Sequence, residues 1–219
     1  ELADGSRTAL TTRDGPDASP AVSPDGERIA YTGYDDRVRA YQQANLYVMN
    51  GDGSEPRNLT ADYDHPIADP VFSADGRTIY THAEVEGHTV LVEVGLDGAV
   101  RERTDDVGGT SLGRPYASGA FSVGGNRASV IAYTRQRWDR PADVAVIDGR
   151  ADPRVLTDLN DDALGHIDLA EIEEIQVESR FDGRTIEAWV AKPGGFTADG
   201  SFPMIIEIHG GPFAMYGPS

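Results

Sequence analysis

Short apolar runs broken by turns rich in Gly and Asp recur along this chain. Three of them fall into register: VSPDGERIAYTG from Val22, VFSADGRTIYTHA from Val71 and FSVGGNRASVIAYT from Phe121. Ile29, Ile79 and Ile131 mark the period, at steps of 50 and 52 residues. Each copy predicts strand, turn, strand, the reversal resting on a Ser-x-x-Gly turn whose glycine can take the positive φ required. Behind each copy comes a second element, NLYVMNGDGSEPRNLT, TVLVEVGLDGAVRERT and DVAVIDGRADPRVLT, which reads as a hairpin around an Asp-Gly turn. Thr11, Thr60, Thr104 and Thr157 end the units at steps of 49, 44 and 53.

Four short strands at a period near fifty describe a blade of a β-propeller, and a sandwich would not repeat its turn chemistry in this way. The pattern predicts blades over about 12–60, 61–104 and 105–157. DGSRTALT from Asp4 matches DGSEPRNLT from Asp52, so the opening residues read as the close of a preceding blade, and the N-terminus is expected to fall inside a domain. A ring normally takes about four to eight blades, so three and a remnant make a partial propeller.

Beyond Thr157 the period stops. Asp158 to Asp168 reads as an acidic connector, which brings the propeller portion to 1–168. In the remaining 169–219, Ile172 to Arg180 and Thr185 to Ala191 predict a hairpin around Phe181-Asp182-Gly183-Arg184. The apolar run Met204 to Ile208, bounded by Pro203 and Gly210, predicts a buried strand. It leads into His209-Gly210-Gly211-Pro212. In hydrolases with a parallel central sheet, the loop leaving the third strand offers a backbone N–H to the oxyanion, and glycines let that backbone come close.

Composition narrows the chemistry. Lys+Arg 19 against Asp+Glu 37 gives a net charge of -18, spread along the chain, which argues against a nucleic-acid binder and reads as a solvated acidic surface. Gly 25 and Pro 13 favour a chain of turns and strands over one of long helices. Cys 0 removes disulfides, Cys-ligated metal sites and a thiol nucleophile. No run reaches the roughly 18 apolar residues of a membrane helix, and ELADGSRTALTT has neither the basic nor the apolar region of a signal peptide.

Other chemistry-bearing residues read as structural. Gly109-Thr110-Ser111-Leu112-Gly113 fits the G-x-S-x-G of a nucleophile elbow, but an elbow opens a helix, and Arg114-Pro115 follow where the repeat expects a loop. His82-Ala83-Glu84 matches the H-x-E of zinc deaminases without their cysteines and reads as strand. Asn50, Asp52 and Ser54 have the alternate spacing of a calcium loop, but Glu55 stands at the position of its glycine, so a hairpin turn is expected. Asp158, Asp161, Asp162 and Asp168 read as solvated connector carboxylates, and His65, His88 and His166 as surface or capping residues. Arg135-Gln136-Arg137-Trp138 has the groups to meet a substrate carboxylate, but a turn between blades is the expected role.

The propeller repeat resembles that of TolB-type proteins and of the prolyl oligopeptidase family of serine peptidases. RFDGRTIEAWVAKPGGF followed by FPMIIEIHGGPFAMYG is similar to the start of the catalytic domain in acylaminoacyl-peptidase-like members of that family, and IAYTGYDDRVRAYQQANLYVMNGDG is similar to one of their blades. The resemblance implies a mainly β chain: a partial propeller, then the N-terminal strands of an α/β-hydrolase domain with a Ser, Asp, His triad. The propeller would restrict access to short peptides. Gly211 would donate the oxyanion-hole N–H, with His209, Gly210 and Pro212 shaping the loop. Triad residues follow the oxyanion strand in this fold, so none is expected within these residues, and this chain alone is expected to be inactive and to fold poorly. The implied partners are short peptide substrates, with no nucleic acid, membrane, metal or organic cofactor. A cytoplasmic location is expected, and homo-oligomerisation of the full-length protein is left open. A non-enzymatic TolB-type binding module and a degenerate hydrolase are the alternatives, separated from the first reading by the stretch from Ile172 to Gly217.

Overall fold

The structure is a computed structural model, and it describes residues 5–111, 116–125, 129–208, 210 and 213–217. Twelve strands form three antiparallel meanders. The first holds β1 (Asp17–Val22), β2 (Arg28–Gly33), β3 (Asn45–Asn50) and β4 (Arg57–Asn58). The second holds β5 (Ile67–Phe72), β6 (Thr78–Val85), β7 (His88–Gly95) and β8 (Val100–Val107). In the third, β9 (Phe121–Gly124), β10 (Val130–Arg137), β11 (Arg140–Asp148) and β12 (Arg154–Val155) pair in chain order. A single pairing, Val107 opposite Arg135, joins β8 to β10. These are the four-stranded units of a propeller, and the chain is nearly all sheet.

The core lies between the meanders. Ala30, Leu46, Val48 and Leu59 of the first pack against Ile67, Ile79, Val90, Val92 and Val94 of the second. Tyr80, Leu91 and Val107 of the second pack against Ile131, Tyr133, Ala145 and Ile147 of the third. Neighbouring residues on a strand point to opposite faces, so Ile79 meets one neighbour and Tyr80 the other. A strand covered on both faces needs apolar residues at consecutive positions. This is why β7 reads Val90-Leu91-Val92 without a polar break, all three fully or almost fully buried.

The expected turns form with repeated chemistry. Arg28 N donates to Ser23 Oγ at 2.9 Å, Ser23 Oγ donates to Asp25 Oδ1 at 2.5 Å, and Gly26 sits at φ 75°. Thr78 N, Ser73, Asp75 and Gly76 repeat the arrangement at 3.0 and 2.7 Å with φ 67°. Two of the threonines that end the units also act alike: Leu46 N donates to Thr60 Oγ1 and Val144 N to Thr157 Oγ1, both at 2.9 Å, while Thr104 Oγ1 donates to Asp106 Oδ1. One repeated feature is not evident from the period. Ser19 (φ 49°) and Asp69 (φ 53°), each followed by proline, sit where the pairings of β1 with β2 and of β5 with β6 slip, forming β-bulges.

After the third meander a short helix, α1 (Asp161–Leu164), interrupts the acidic connector, and β13 (Glu171–Glu178) pairs with β14 (Thr185–Lys192) as the expected hairpin. The hairpin rests on the meanders. Trp189 lies 5.4 Å from Trp138 and against Gly87, and His88 Nε2 is 3.5 Å from Glu174 Oε2. Two expectations are corrected. Residues 204–208 form no strand and are not buried, with Ile205 at 95% and Ile208 at 88% exposure. A strand is stable only when its backbone is paired and its side chains are covered, and no described strand lies beside this one. Arg135 to Trp138 are not a turn between blades: they end β10 and open the β10–β11 hairpin turn, with Arg135 Nε locked on Asp106 and Arg137 on Asp139 at 2.8 Å.

Three outcomes follow from this packing. The hydroxyl of Ser23 and the N–H of Glu27 hold the Asp25 carboxyl below its ordinary range, and Ser73 and Arg77 do the same for Asp75. A depressed carboxyl stabilises the fold above its unfolded pKa, near about 4, and that stabilisation is lost as pH falls through the folded value. Asp75→Asn should therefore lower the denaturant midpoint at pH 6, and its difference from wild type should shrink below about pH 4; a difference that grows on acidification would contradict this. Thr60 is 1% exposed, so Thr60→Val, which strands the Leu46 N–H, should cost about 1–3 kcal/mol in urea unfolding. At Gly87 (φ 80°) an added Cβ would lie 2.3 Å from Trp189. Gly87→Ala should loosen the hairpin, seen as faster amide exchange in β13 and β14 with β6 and β10 unchanged.

Candidate active site

The first meander departs from the others at one connection. β6 turns into β7 through Glu86-Gly87 and β10 into β11 through Trp138-Asp139, whereas β2 reaches β3 through residues 34–44. An insertion where sister units have a two-residue turn is a loop kept for something other than connection. It is held in place by its own polar groups. Asp36 Oδ1 accepts from Val38 N at 2.7 Å and Gln42 Nε2 at 3.0 Å, and Gln43 Nε2 donates to Tyr63 O at 2.8 Å and His65 O at 3.0 Å. Tyr41 stands beside these two glutamines.

The Tyr41 ring stacks on Phe213, centroids 6.0 Å apart and planes at 13°. Together they wall a recess of about 370 Å³ that is also lined by Asp69 of β5, His82 and Glu84 of β6, and Ser118. Phe213 follows directly on His209-Gly210-Gly211-Pro212. Of these four residues, Gly210 is exposed and a Cβ built on it meets nothing within 4 Å. His209, Gly211 and Pro212 lie outside the described residues.

The residues after Phe213 run along the meanders. Gly87 N donates to Met215 Sδ at 3.1 Å, Ala117 N donates to Met215 O at 3.1 Å, and Tyr116 pairs with Tyr216, their rings edge to face at 5.3 Å. Three parts of the propeller portion thus hold one short segment: the 34–44 loop, the β6–β7 turn and the strand of chain before β9.

The recess sets the polar groups of Asp69, His82, Glu84 and Ser118 among aromatic rings and small apolar residues. His82 is 8% exposed, its ring edge on Phe121 at 4.6 Å, and its Nδ1 lies 3.9 Å from Asp69 Oδ2. Burial lowers the pKa of His82 against the opposing pull of Asp69, which favours the neutral imidazole. Burial raises the pKa of Glu84 and of the Tyr41 hydroxyl, the latter aided by the charges of Glu84 and Asp64. Among the described residues no Lys or Arg lines the recess.

The remaining candidates take structural places. Gly109 to Ser111 follow β8, with Thr110 N donating to Ser118 Oγ at 3.2 Å, and no helix opens there among the described residues; Leu112 and Gly113 lie outside them. Asp52 Oδ1 accepts from Ser54 N at 2.9 Å within a hairpin turn. His65 packs on Tyr63, His166 is exposed, and Asp158 pairs with Arg140 at 3.4 Å. Among the described residues no group of three or more His, Asp or Glu could hold a metal, and no helix is long and apolar enough to cross a membrane. Motif reading missed Tyr41, Asp69 and Phe213 as a group, since they come from three distant segments. The unequal length of the 34–44 loop was the one signal for them in the sequence.

No protein-family model matches the chain. It is 26% identical to a probable dipeptidyl-peptidase 5 of Trichophyton verrucosum over 99% of its own length and 31% of that protein's, and 25% identical to dipeptidyl-peptidase 5 of Arthroderma otae over 98% and 30%. The chain spans about a third of the length of these curated relatives. Among solved structures, an acylaminoacyl peptidase in complex with Z-Gly-Gly-Phe-chloromethyl ketone matches 88% of this chain and 28% of its own at TM-score 0.62 and 22% identity. The Pyrococcus horikoshii acylaminoacyl peptidase matches 77% and 24% at TM-score 0.56 and 23% identity. These likenesses run across the three meanders and the segment beyond them, and those to the solved peptidases are likenesses of fold.

Proposed function

We propose that this chain is part of a serine peptidase that hydrolyses short peptides, acylaminoacyl peptides or oligopeptides, by acyl transfer. Residues 1–168 form the propeller portion that limits access, with blades at about 12–60, 61–104 and 105–157, and 169–219 open the α/β-hydrolase domain. The observation that carries the reading is the seat of Phe213. The residue next to the His-Gly-Gly-Pro loop lies against the propeller portion and walls a recess with Tyr41, an arrangement suited to a peptide held between the two. The peptidase names of the relatives support the same chemistry.

In this mechanism a serine from the longer protein, its proton taken by a histidine, attacks the peptide carbonyl. The oxyanion that forms accepts the Gly211 N–H, the C–N bond breaks as the histidine returns the proton to the leaving amine, and water then releases the acyl group. His209, Gly210 and Pro212 shape the loop. The acceptor-lined recess orients the peptide, and its size disfavours folded proteins. Neither a metal nor an organic cofactor is needed.

The test uses a protein of the relatives' full length. A fluorophosphonate should label it, and it should cleave chromogenic peptide anilides but not a folded protein. Gly211→Pro, which removes the N–H, should lower kcat by about 10²–10³-fold, while Gly211→Ala, which keeps it, should lose far less. Absence of labelling in the wild type would end the serine mechanism and favour a binding propeller.

A further inference from the structure

We infer that the inserted loop between β2 and β3 is a carboxylate subsite, where Arg37 and Arg39 bind a carboxylate of the peptide whose other part lies in the recess beside Phe213. The inference rests on the reading of this chain as part of a peptidase, and it names the peptides taken, those that carry a carboxylate. The loop walls a second recess, of about 680 Å³, lined by Arg37 and Arg39 together with Tyr34, Tyr41, Tyr47 and Tyr63. Tyr41 and Gln42 line both recesses, so the two adjoin across this pair of side chains. A peptide seated beside Phe213 reaches the larger recess by passing Tyr41.

The arginines carry the ligand class. In a chain with Asp+Glu 37 against Lys+Arg 19, an arginine readily finds a carboxylate. Those lining the recesses of the third meander do: Arg135 pairs with Asp106, Arg137 with Asp139 and Arg140 with Asp158. Arg37 and Arg39 form no ion pair among the described residues, and both are exposed. Their forked donors match the two oxygens of a carboxylate, and the tyrosines beside them offer a peptide rigid contact area at low entropic cost. The loop takes its shape before any ligand arrives. Arg37 N donates to Gln42 Oε1 at 2.5 Å, and Asp36 Oδ1 accepts from Val38 N and Gln42 Nε2, which closes a clamp around 36–42. Val38, between the two arginines, stands at φ 51° and 94% exposure. A β-branched residue is strained in that region, and its side chain buries nothing that would offset the strain. Asp35, Asp62 and Asp64 also line the recess, Asp35 beside Arg13 at 3.7 Å. They disfavour a loose anion, so the subsite selects a carboxylate delivered by the peptide that bears it.

The experiment measures kcat/KM of the full-length protein, by chromatography of the products, for short peptides of one sequence that end in a free carboxylate or an amide and carry Glu or Gln at one internal position. The wild type should prefer a carboxylate-bearing peptide over its neutral form by about five- to tenfold, as for a charge-assisted contact in a partly exposed site, and the preference should shrink as salt rises. A preference that follows the free terminus assigns the subsite to the end of the peptide; one that follows Glu over Gln assigns it to an acidic side chain. Arg37→Ala/Arg39→Ala should bring the charged and neutral peptides within about twofold of each other. Arg37→Lys/Arg39→Lys, which keeps the charges, should retain part of the preference and so show that the loop still folds, and Arg37→Glu/Arg39→Glu should reverse it. Equal rates for all the peptides in the wild type, or a preference that survives Arg37→Ala/Arg39→Ala, would overturn the inference and leave the peptidase reading in place. If the protein cleaves none of them, the peptidase reading fails, and fluorescence anisotropy of the same peptides carrying rhodamine decides the subsite by the same comparisons.

Discussion

The structure depends on burying the second meander on both faces. β6 and β7 send alternate residues into two cores, Ile79, Val90, Val92 and Val94 to one side and Tyr80 and Leu91 to the other. Each buried apolar side chain is worth about 1.5–3 kcal/mol, and a sheet covered on one face alone would forfeit those on the other. The hydrogen bonds between sheets are few by comparison: one pairing, Val107 with Arg135, joins the second and third meanders. Blade stacking is therefore chiefly an apolar contact, and the outer strands can stay short and polar, as β4 and β12 are.

Polar groups set the edges of these cores. The Ser and Asp of the β1–β2 and β5–β6 turns satisfy the N–H groups of a tight reversal, and Thr60 and Thr157 each satisfy the backbone of the hairpin they close. These contacts recur in two of the three units because the blade geometry recurs, the same donor meeting the same acceptor. Asp106 plays a different part between units. It accepts from Tyr133 Oη at 2.9 Å and from Arg135 Nε, which ties the end of β8 to β10 where the two sheets meet.

A regular array of blades offers a face, and the irregular elements make that face specific. The 34–44 loop, the β6–β7 turn and residues 116–118 converge on 213–217, bringing the residue after His-Gly-Gly-Pro against an acceptor-lined recess. Asp69, His82 and Glu84 line that recess, and small residues, such as Gly87 against Gly217, permit the close approach beside it.

The sequence by itself determined the blades and the hairpin. Period, Ser-x-x-Gly turns and terminal threonines are local or repeated signals, and β13 and β14 announce themselves around Asp182-Gly183. It also singled out His209 to Pro212, from residue types whose chemistry is carried by a short contiguous run. Tertiary structure decided what depends on distant partners. The run 204–208 has the composition of a buried strand, yet burial requires a neighbouring strand, and none is described beside it. The bulges at Ser19 and Asp69 arise from pairing register, which no single strand encodes. The meeting of Tyr41, Asp69 and Phe213 needed the fold above all, since residues far apart in the chain become neighbours only once stacked blades bring their loops to one face.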